Sequence, residues 1–119
     1  MANKAPILVV DDDDAILEAM RDFLELEGFA VRGAKNGREA LRLIHDGLRP
    51  ALILLDLMMP IMTGWEFAQE VAADPALRGL PICVMTATGP TKPIAGAVVA
   101  VIPKPLPLDR LLDVIRRHA

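Results

Sequence analysis

The 119-residue chain lacks several things, and each shortage excludes a class of protein. It has one cysteine, Cys83, inside the apolar run Ile82-Cys83-Val84-Met85, which rules out an internal disulfide and most cysteine metal sites. Cys83 therefore reads as a small buried hydrophobe in a chain suited to a reducing, cytoplasmic compartment. Aromatic residues are limited to Phe23, Phe29, Trp65 and Phe67, with no tyrosine, so stacking platforms for single-stranded nucleic acid are not expected. Bases do not outnumber acids: 13 Lys and Arg stand against 16 Asp and Glu, a net charge of −3 that argues against direct nucleic-acid binding. No stretch reaches the roughly 18 apolar residues needed to cross a bilayer. The start MANKAP has no apolar signal core behind Lys4, so the expectation is a soluble, unexported chain with no membrane partner.

With 53% hydrophobic and 24% charged residues, the chain can bury one compact core, and its length allows one domain over residues 1–119. Five apolar runs have strand length: Ile7 to Val10, Phe29 to Val31, Ala51 to Leu55, Ile82 to Met85 and Val98 to Ile102. All but the second are apolar throughout, the pattern of strands covered on both faces in a parallel sheet. Helical patterns lie between them. Ile16, Met20, Phe23 and Leu24 form one stripe, with Asp14 read as its N-cap and Gly28 as its stop. A second (Ala40, Leu41, Leu43, Ile44) runs from Asn36-Gly37 to Gly47, and a third (Trp65, Phe67, Ala68, Val71, Ala72) from Gly64 to before Pro75. The last runs from Leu108 to Arg117. This alternation predicts a doubly wound α/β domain: a five-stranded parallel sheet with helices on both faces.

One interval breaks the rhythm. Only 12 residues, Thr86 to Ala97, separate Met85 from Val98, near the minimum for a parallel crossover, and Gly89, Pro90, Pro93 and Gly96 among them oppose a helix. The fourth crossover helix is expected to be short or absent.

Ligands of a parallel α/β sheet bind beyond the carboxyl ends of its strands. Asp11 and Asp12 follow the first run, Asp56 the third, Thr86 and Ala87 the fourth, and Lys104 with Pro105 the fifth. Strand direction puts them all on one rim. Three carboxylates there repel one another unless a cation sits among them, and hard oxygen donors suit magnesium. A carboxylate beside a divalent ion is suited to attack on phosphorus, because the metal neutralises the incoming phosphoryl oxygens. Lys104 and the Thr86 hydroxyl complete a charge clamp, and phosphoryl transfer asks little of a protein beyond positioning and electrostatics.

The runs ILVVDDDDAI, ALILLDLMMPIMTGWEF, PICVMTA and VIPKPLPLDRLLDVI, in that order, resemble the receiver domain of two-component response regulators over essentially the whole chain. The resemblance implies a flavodoxin-like fold and a phosphorelay function. Asp56 would be the phosphoacceptor, charged by a sensor histidine kinase, a phosphotransfer protein or a small phosphodonor. Asp11, Asp12, Asp56 and the backbone carbonyl of Met58 would hold Mg2+. Thr86 would swing its hydroxyl toward the acyl phosphate, Lys104 would pair with it, and Pro105 would follow a cis peptide bond. Such a domain is not an enzyme in the ordinary sense; it catalyses only its own phosphorylation and dephosphorylation at Asp56. Of the remaining acids, Asp13 reads as a solvated loop charge. Met58 and Thr88 take the two variable positions beside the phosphoryl group, and neither is a strong general base, so self-catalysed dephosphorylation is expected to be modest.

Two departures stand out. Val101 replaces the aromatic residue usual three positions before the lysine, and the fourth crossover is shorter than the family norm. Both fall on the face through which many receivers dimerise or meet an output domain. The expectation is a stand-alone receiver that acts by partner binding or phosphate relay, or one cut from a longer regulator. The alternative is a degenerate receiver serving as a non-phosphorylated interaction scaffold. A metal-dependent phosphohydrolase would need an acid two residues past the nucleophile, where this chain has Met58. Trp65 and Phe67 read as core or groove-lining packing, His45 and His118 as exposed helix residues and not ligands, and Pro60 and Pro81 as a turn former and a strand start.

Overall fold

A computed structural model describes residues 5–118; the opening residues of MANKAP, up to Lys4, lie outside the described part. The elements in chain order are β1 (Ile7–Val10), α1 (Asp14–Leu26), β2 (Val31–Ala34), α2 (Gly37–His45), β3 (Leu52–Asp56), α3 (Gly64–Ala73), β4 (Pro81–Thr86), β5 (Ala97–Pro103) and α4 (Leu108–His118). The strands form one parallel sheet in the order β2-β1-β3-β4-β5.

Alternate residues of each central strand point to opposite faces, so an all-apolar strand feeds two cores. Leu8, Val10, Ile53, Leu55, Ile82 and Val84 pack with Ala40, Leu41 and Ile44 of α2 and Phe67, Ala68 and Val71 of α3. Ile7, Val9, Leu52, Leu54, Cys83, Met85 and Ile102 pack with Met20 and Leu24 of α1 and Leu111 and Ile115 of α4. Each such aliphatic side chain contributes roughly 1.5–3 kcal/mol by leaving water. Together they set a rigid floor under the strand ends.

Two boundaries differ from the sequence reading. The second strand is Val31–Ala34 and not Phe29 to Val31, because Gly28 turns the chain at φ 93° and the Phe29 N–H still bonds the Leu24 carbonyl, 3.0 Å away. As an edge strand it carries an exposed arginine, Arg32, that hides it from a search for apolar runs. The cap of α1 is Asp13 and not Asp14: the Asp13 carboxylate accepts the N–H groups of Ala15 (2.9 Å) and Ile16 (3.3 Å). Asp14 is the first helical residue and pairs with Lys35 at 3.0 Å across the surface.

Residues 87–96, between β4 and β5, contain no helix. Gly89 (φ 82°) and Gly96 (φ 93°) adopt left-handed backbone at either end, and Pro90 and Pro93 remove donors between them. The segment is tied down at its middle by Trp65, whose indole N–H donates to the Lys92 carbonyl at 3.3 Å. Pro81 starts β4, and His45 and His118 are exposed, as the sequence suggested.

Candidate functional site

The strand register brings the rim residues level. Val10 pairs with Leu55, so Asp11 leaves its strand beside Asp56; Asp56 pairs with Met85, and Thr86 with Pro103. The Lys104 N–H then bonds the Thr86 carbonyl at 2.9 Å, which fixes the lysine backbone one step past the strand end. The Lys104-Pro105 peptide is cis.

Asp11 is fully buried and both its oxygens are engaged. Oδ1 accepts the Asp13 N–H at 2.9 Å, and Oδ2 accepts the Lys104 ammonium at 2.8 Å. Asp56 is also buried; its Oδ1 accepts the Met58 N–H at 3.3 Å and lies 3.6 Å from Lys104 Nζ. Asp12 is exposed and faces the same hollow, so that one carboxylate oxygen each from Asp11, Asp12 and Asp56 lies within 4.8 Å of the others. Around a Mg2+ ion with ~2.1 Å bonds donor oxygens lie ~3.0 to ~4.2 Å apart, so a small inward turn of the exposed Asp12 side chain would let these hard donors surround a divalent cation. Thr86 is buried at the end of β4, its Oγ1 accepting the Thr88 N–H at 3.4 Å.

Electrostatically the rim has three carboxylates and one ammonium. Burial, then the charge of Asp11, push the Asp56 pKa above its ordinary value; Lys104 and the Met58 N–H offset this in part, and Asp12 adds to it. Burial disfavours the charge on Lys104, but its hydrogen bond and charge pairing with Asp11, joined by Asp56, outweigh that and hold its pKa up. The thiol of Cys83, pushed up to about 11 by burial, is inert packing.

The loop after Asp56 is built to hold the carboxylate still. Leu57 and Met59 are buried while Met58 is exposed at the mouth of the site. A tight three-residue turn follows Pro60, with the Met62 N–H bonding the Pro60 carbonyl at 2.7 Å and Ile61 at φ 70°, an unfavourable setting for a β-branched residue. Thr63 and Glu66 form a reciprocal capping box that starts α3. Gly64 passes so close beneath the acceptor that an added Cβ would lie 2.5 Å from the Asp56 carbonyl oxygen and 2.7 Å from Leu57 Cα.

A groove of about 650 Å3 opens from Asp56 and is lined by Met58, Thr86, Thr88 and Lys104 at the acceptor end. Trp65, Thr91 and Lys92 line the same groove. The Lys92 ammonium sits over the Trp65 ring, 5.1 Å from the centroid. Thus Asp11, Asp12, Asp56, Thr86 and Lys104 gather on one rim, with the Met58 N–H turned to Asp56, whereas Lys92 has no signal in the sequence. It lies in a proline- and glycine-rich segment whose sequence has no periodicity to place it.

Comparison with known proteins agrees with this geometry. The response regulator receiver domain family matches residues 7–116. The chain is 40% identical over 114 residues to response regulator MprA of Mycolicibacterium vanbaalenii, covering 92% of this chain and 48% of that protein. It thus spans about half the length of such curated relatives. The polar-differentiation response regulator DivK of Brucella anthropi is 31% identical over 116 residues, which cover 94% of both chains. Among solved structures, response regulator protein TrrA of Thermotoga maritima, in complex with Mg(2+)-BeF, superposes with TM-score 0.85 at 29% identity over 98% of this chain and all of that one. A parallel five-stranded sheet with an acidic rim, a lysine after the last strand and this match over nearly its full length place the chain in the response regulator receiver domain family.

Proposed function

We propose that the chain is a phosphorylation-controlled signalling module in which Asp56 accepts a phosphoryl group in a Mg2+-dependent reaction. The observation that carries this is the clustering of the Asp11, Asp12 and Asp56 oxygens within 4.8 Å, with the Lys104 ammonium 3.6 Å from the acceptor. Asp11, Asp12, Asp56 and the Met58 carbonyl would hold the ion. When bound, Mg2+ supplies charge neutralisation for the incoming phosphoryl oxygens. TrrA, the similar regulator solved in complex with Mg(2+)-BeF, supports Mg2+ as the ion.

The chain's own residues do the rest. An oxygen of Asp56 attacks phosphorus in line, a P–O bond forms, and the bond to the donor breaks with its electron pair leaving on the donor; no proton need be removed from the nucleophile. The buried floor beneath β3 and the close approach of Gly64 keep that oxygen oriented. Lys104 would shift from Asp11 toward a phosphoryl oxygen, and the Thr86 hydroxyl would donate to another, drawing the β4 loop inward and changing the surface offered to partners. The natural donors are a sensor histidine kinase or a phosphotransfer protein, and the setting is cytoplasmic. No described helix is long and apolar enough to cross a membrane. The intact set of acids, threonine and lysine does not favour a scaffold that works without phosphorylation.

Incubation with Mg2+ and acetyl phosphate, followed by intact mass measurement, tests the reading. One phosphoryl adduct is expected in the wild type and none in Asp56→Asn or without Mg2+. A folded wild type that gains no adduct from any donor would overturn it.

A further inference from the structure

The groove at Asp56 is larger than a phosphoryl group requires, and Trp65 and Lys92 share its lining. Lys92 is fastened there twice, by its carbonyl to the Trp65 indole N–H at 3.3 Å and by its ammonium over the same ring at 5.1 Å. No carboxylate pairs with that ammonium among the described residues, whereas Lys104, the other lysine lining the groove, is engaged by Asp11 and Asp56. A cation held on an aromatic face, facing a groove that starts at a nucleophile, is placed for an anion that arrives with the phosphoryl group. Thr88 and Thr91 add hydroxyls along the same wall.

We infer that Lys92 is a specificity-determining residue whose ammonium receives the departing carboxylate of an acyl phosphate donor, so that the groove is a leaving-group subsite favouring small acyl phosphates. This deepens the phosphoacceptor reading and rests on it. With phosphorus seated on Asp56, in-line displacement points the leaving group away from the carboxylate, out along the groove. In an acyl phosphate the P–O bond to the acyl oxygen breaks while the P–O bond to Asp56 forms. The electron pair stays with the acyl oxygen, and a carboxylate leaves. Negative charge therefore develops at that oxygen in the transition state, where a fixed cation lowers the barrier. A phosphoramidate instead breaks a P–N bond and releases neutral ammonia, and phosphohistidine releases neutral imidazole. Neither gains from a cation at that place. Contact with Trp65 matters because a free lysine would lose more rotamer entropy on each encounter, whereas the exposed Lys92 side chain already rests on the ring.

The test compares initial rates of adduct formation by acetyl phosphate and by phosphoramidate, at the same Mg2+ concentration, for wild type, Lys92→Gln and Lys92→Arg. Lys92→Gln is expected to slow the acetyl phosphate reaction about fivefold, the size of one charge interaction in a solvated setting, while the phosphoramidate rate stays within about twofold. Lys92→Arg should restore most of the preference, and raising salt to about 0.5 M should shrink it in the wild type and Lys92→Arg but not in Lys92→Gln. Equal slowing with both donors would mean that Lys92 only shapes the loop, and unchanged rates with both would mean that it has no role; either result overturns the inference while leaving Asp56 as acceptor. No adduct from either donor in the wild type would instead overturn the phosphoacceptor reading and this inference with it.

Discussion

Lys104 is committed to Asp11 rather than to Asp56: its ammonium lies 2.8 Å from Asp11 Oδ2 and 3.6 Å from Asp56 Oδ1. The resting pair leaves the acceptor carboxylate with the looser contact, and it places a mobile cation within reach of anything bonded to Asp56. Among the described residues Lys104 is also the cation paired with members of the three-carboxylate cluster.

Removing that charge should therefore cost stability. Lys104→Ala leaves Asp11 buried without its partner, a loss of about 1–3 kcal/mol once partial solvent access is allowed for. Urea unfolding at neutral pH without divalent ions should show the loss, and added Mg2+ should recover part of it. A variant as stable as wild type in the absence of metal would contradict this account of the pair.

Asp56 should behave in the opposite sense. Its pKa is raised from 3.8 on folding, so the folded protein binds the proton more readily than the unfolded chain does. Stability is accordingly highest below the ordinary carboxylate pKa and declines as pH rises through the window up to the raised value; above it both states are ionised and the full cost remains. Asp56→Asn should melt a few degrees higher than wild type at pH 7, with the advantage shrinking toward zero in acid. Paired thermal melts across pH read this directly, and a variant less stable at pH 7 would refute it.

Metal addition should stabilise the wild type in a saturable way. At a Mg2+ concentration about a hundred times Kd the gain is about 2.7 kcal/mol. Asp12 is the exposed member of the donor set, so Asp12→Asn should weaken the Mg2+-dependent gain while leaving the metal-free melting temperature nearly unchanged. A Mg2+ response identical in variant and wild type would remove Asp12 from the donors.

Gly64 offers a test of the floor beneath the acceptor. Gly64→Ala forces a methyl group against the Asp56 carbonyl and Leu57 Cα, and should cost about 1–3 kcal/mol and slow phosphorylation at Asp56. Gly79→Ala, with nothing within 4 Å of the added carbon, should change stability by no more than about 0.5 kcal/mol and leave the phosphorylation rate alone. Equal effects at the two positions would show that the close approach has no bearing on Asp56.

Much of this site was legible because a parallel sheet converts sequence position into spatial position. Asp11 and Lys104 follow an apolar strand, Asp56 and Thr86 end one, and residues at that end of a parallel strand can only lie on one rim. Neighbouring like residues were harder to separate. Asp13 and Asp14 are chemically identical in sequence, and only the direction in which the chain leaves β1, set by the Asp13 N–H bonding Asp11 Oδ1, makes the earlier one the cap. Edge strand β2 was misplaced because it is half solvated and so lacks the hydrophobic signature of its neighbours. The Trp65 and Lys92 contact joins residues 27 apart in sequence, through a segment with no regular repeat, and such contacts leave no trace in local pattern.

The helix-free crossover also has a mechanical meaning. Its ten residues, 87–96, can span at most ~35 Å when fully extended. The six residues of β4 that the chain must travel back along already take up ~20 Å. Coiled as an α-helix the same ten residues would reach only ~15 Å, so a helix there could not return along the strand, and the extended course that Trp65 holds at its middle is what closes so short a crossover.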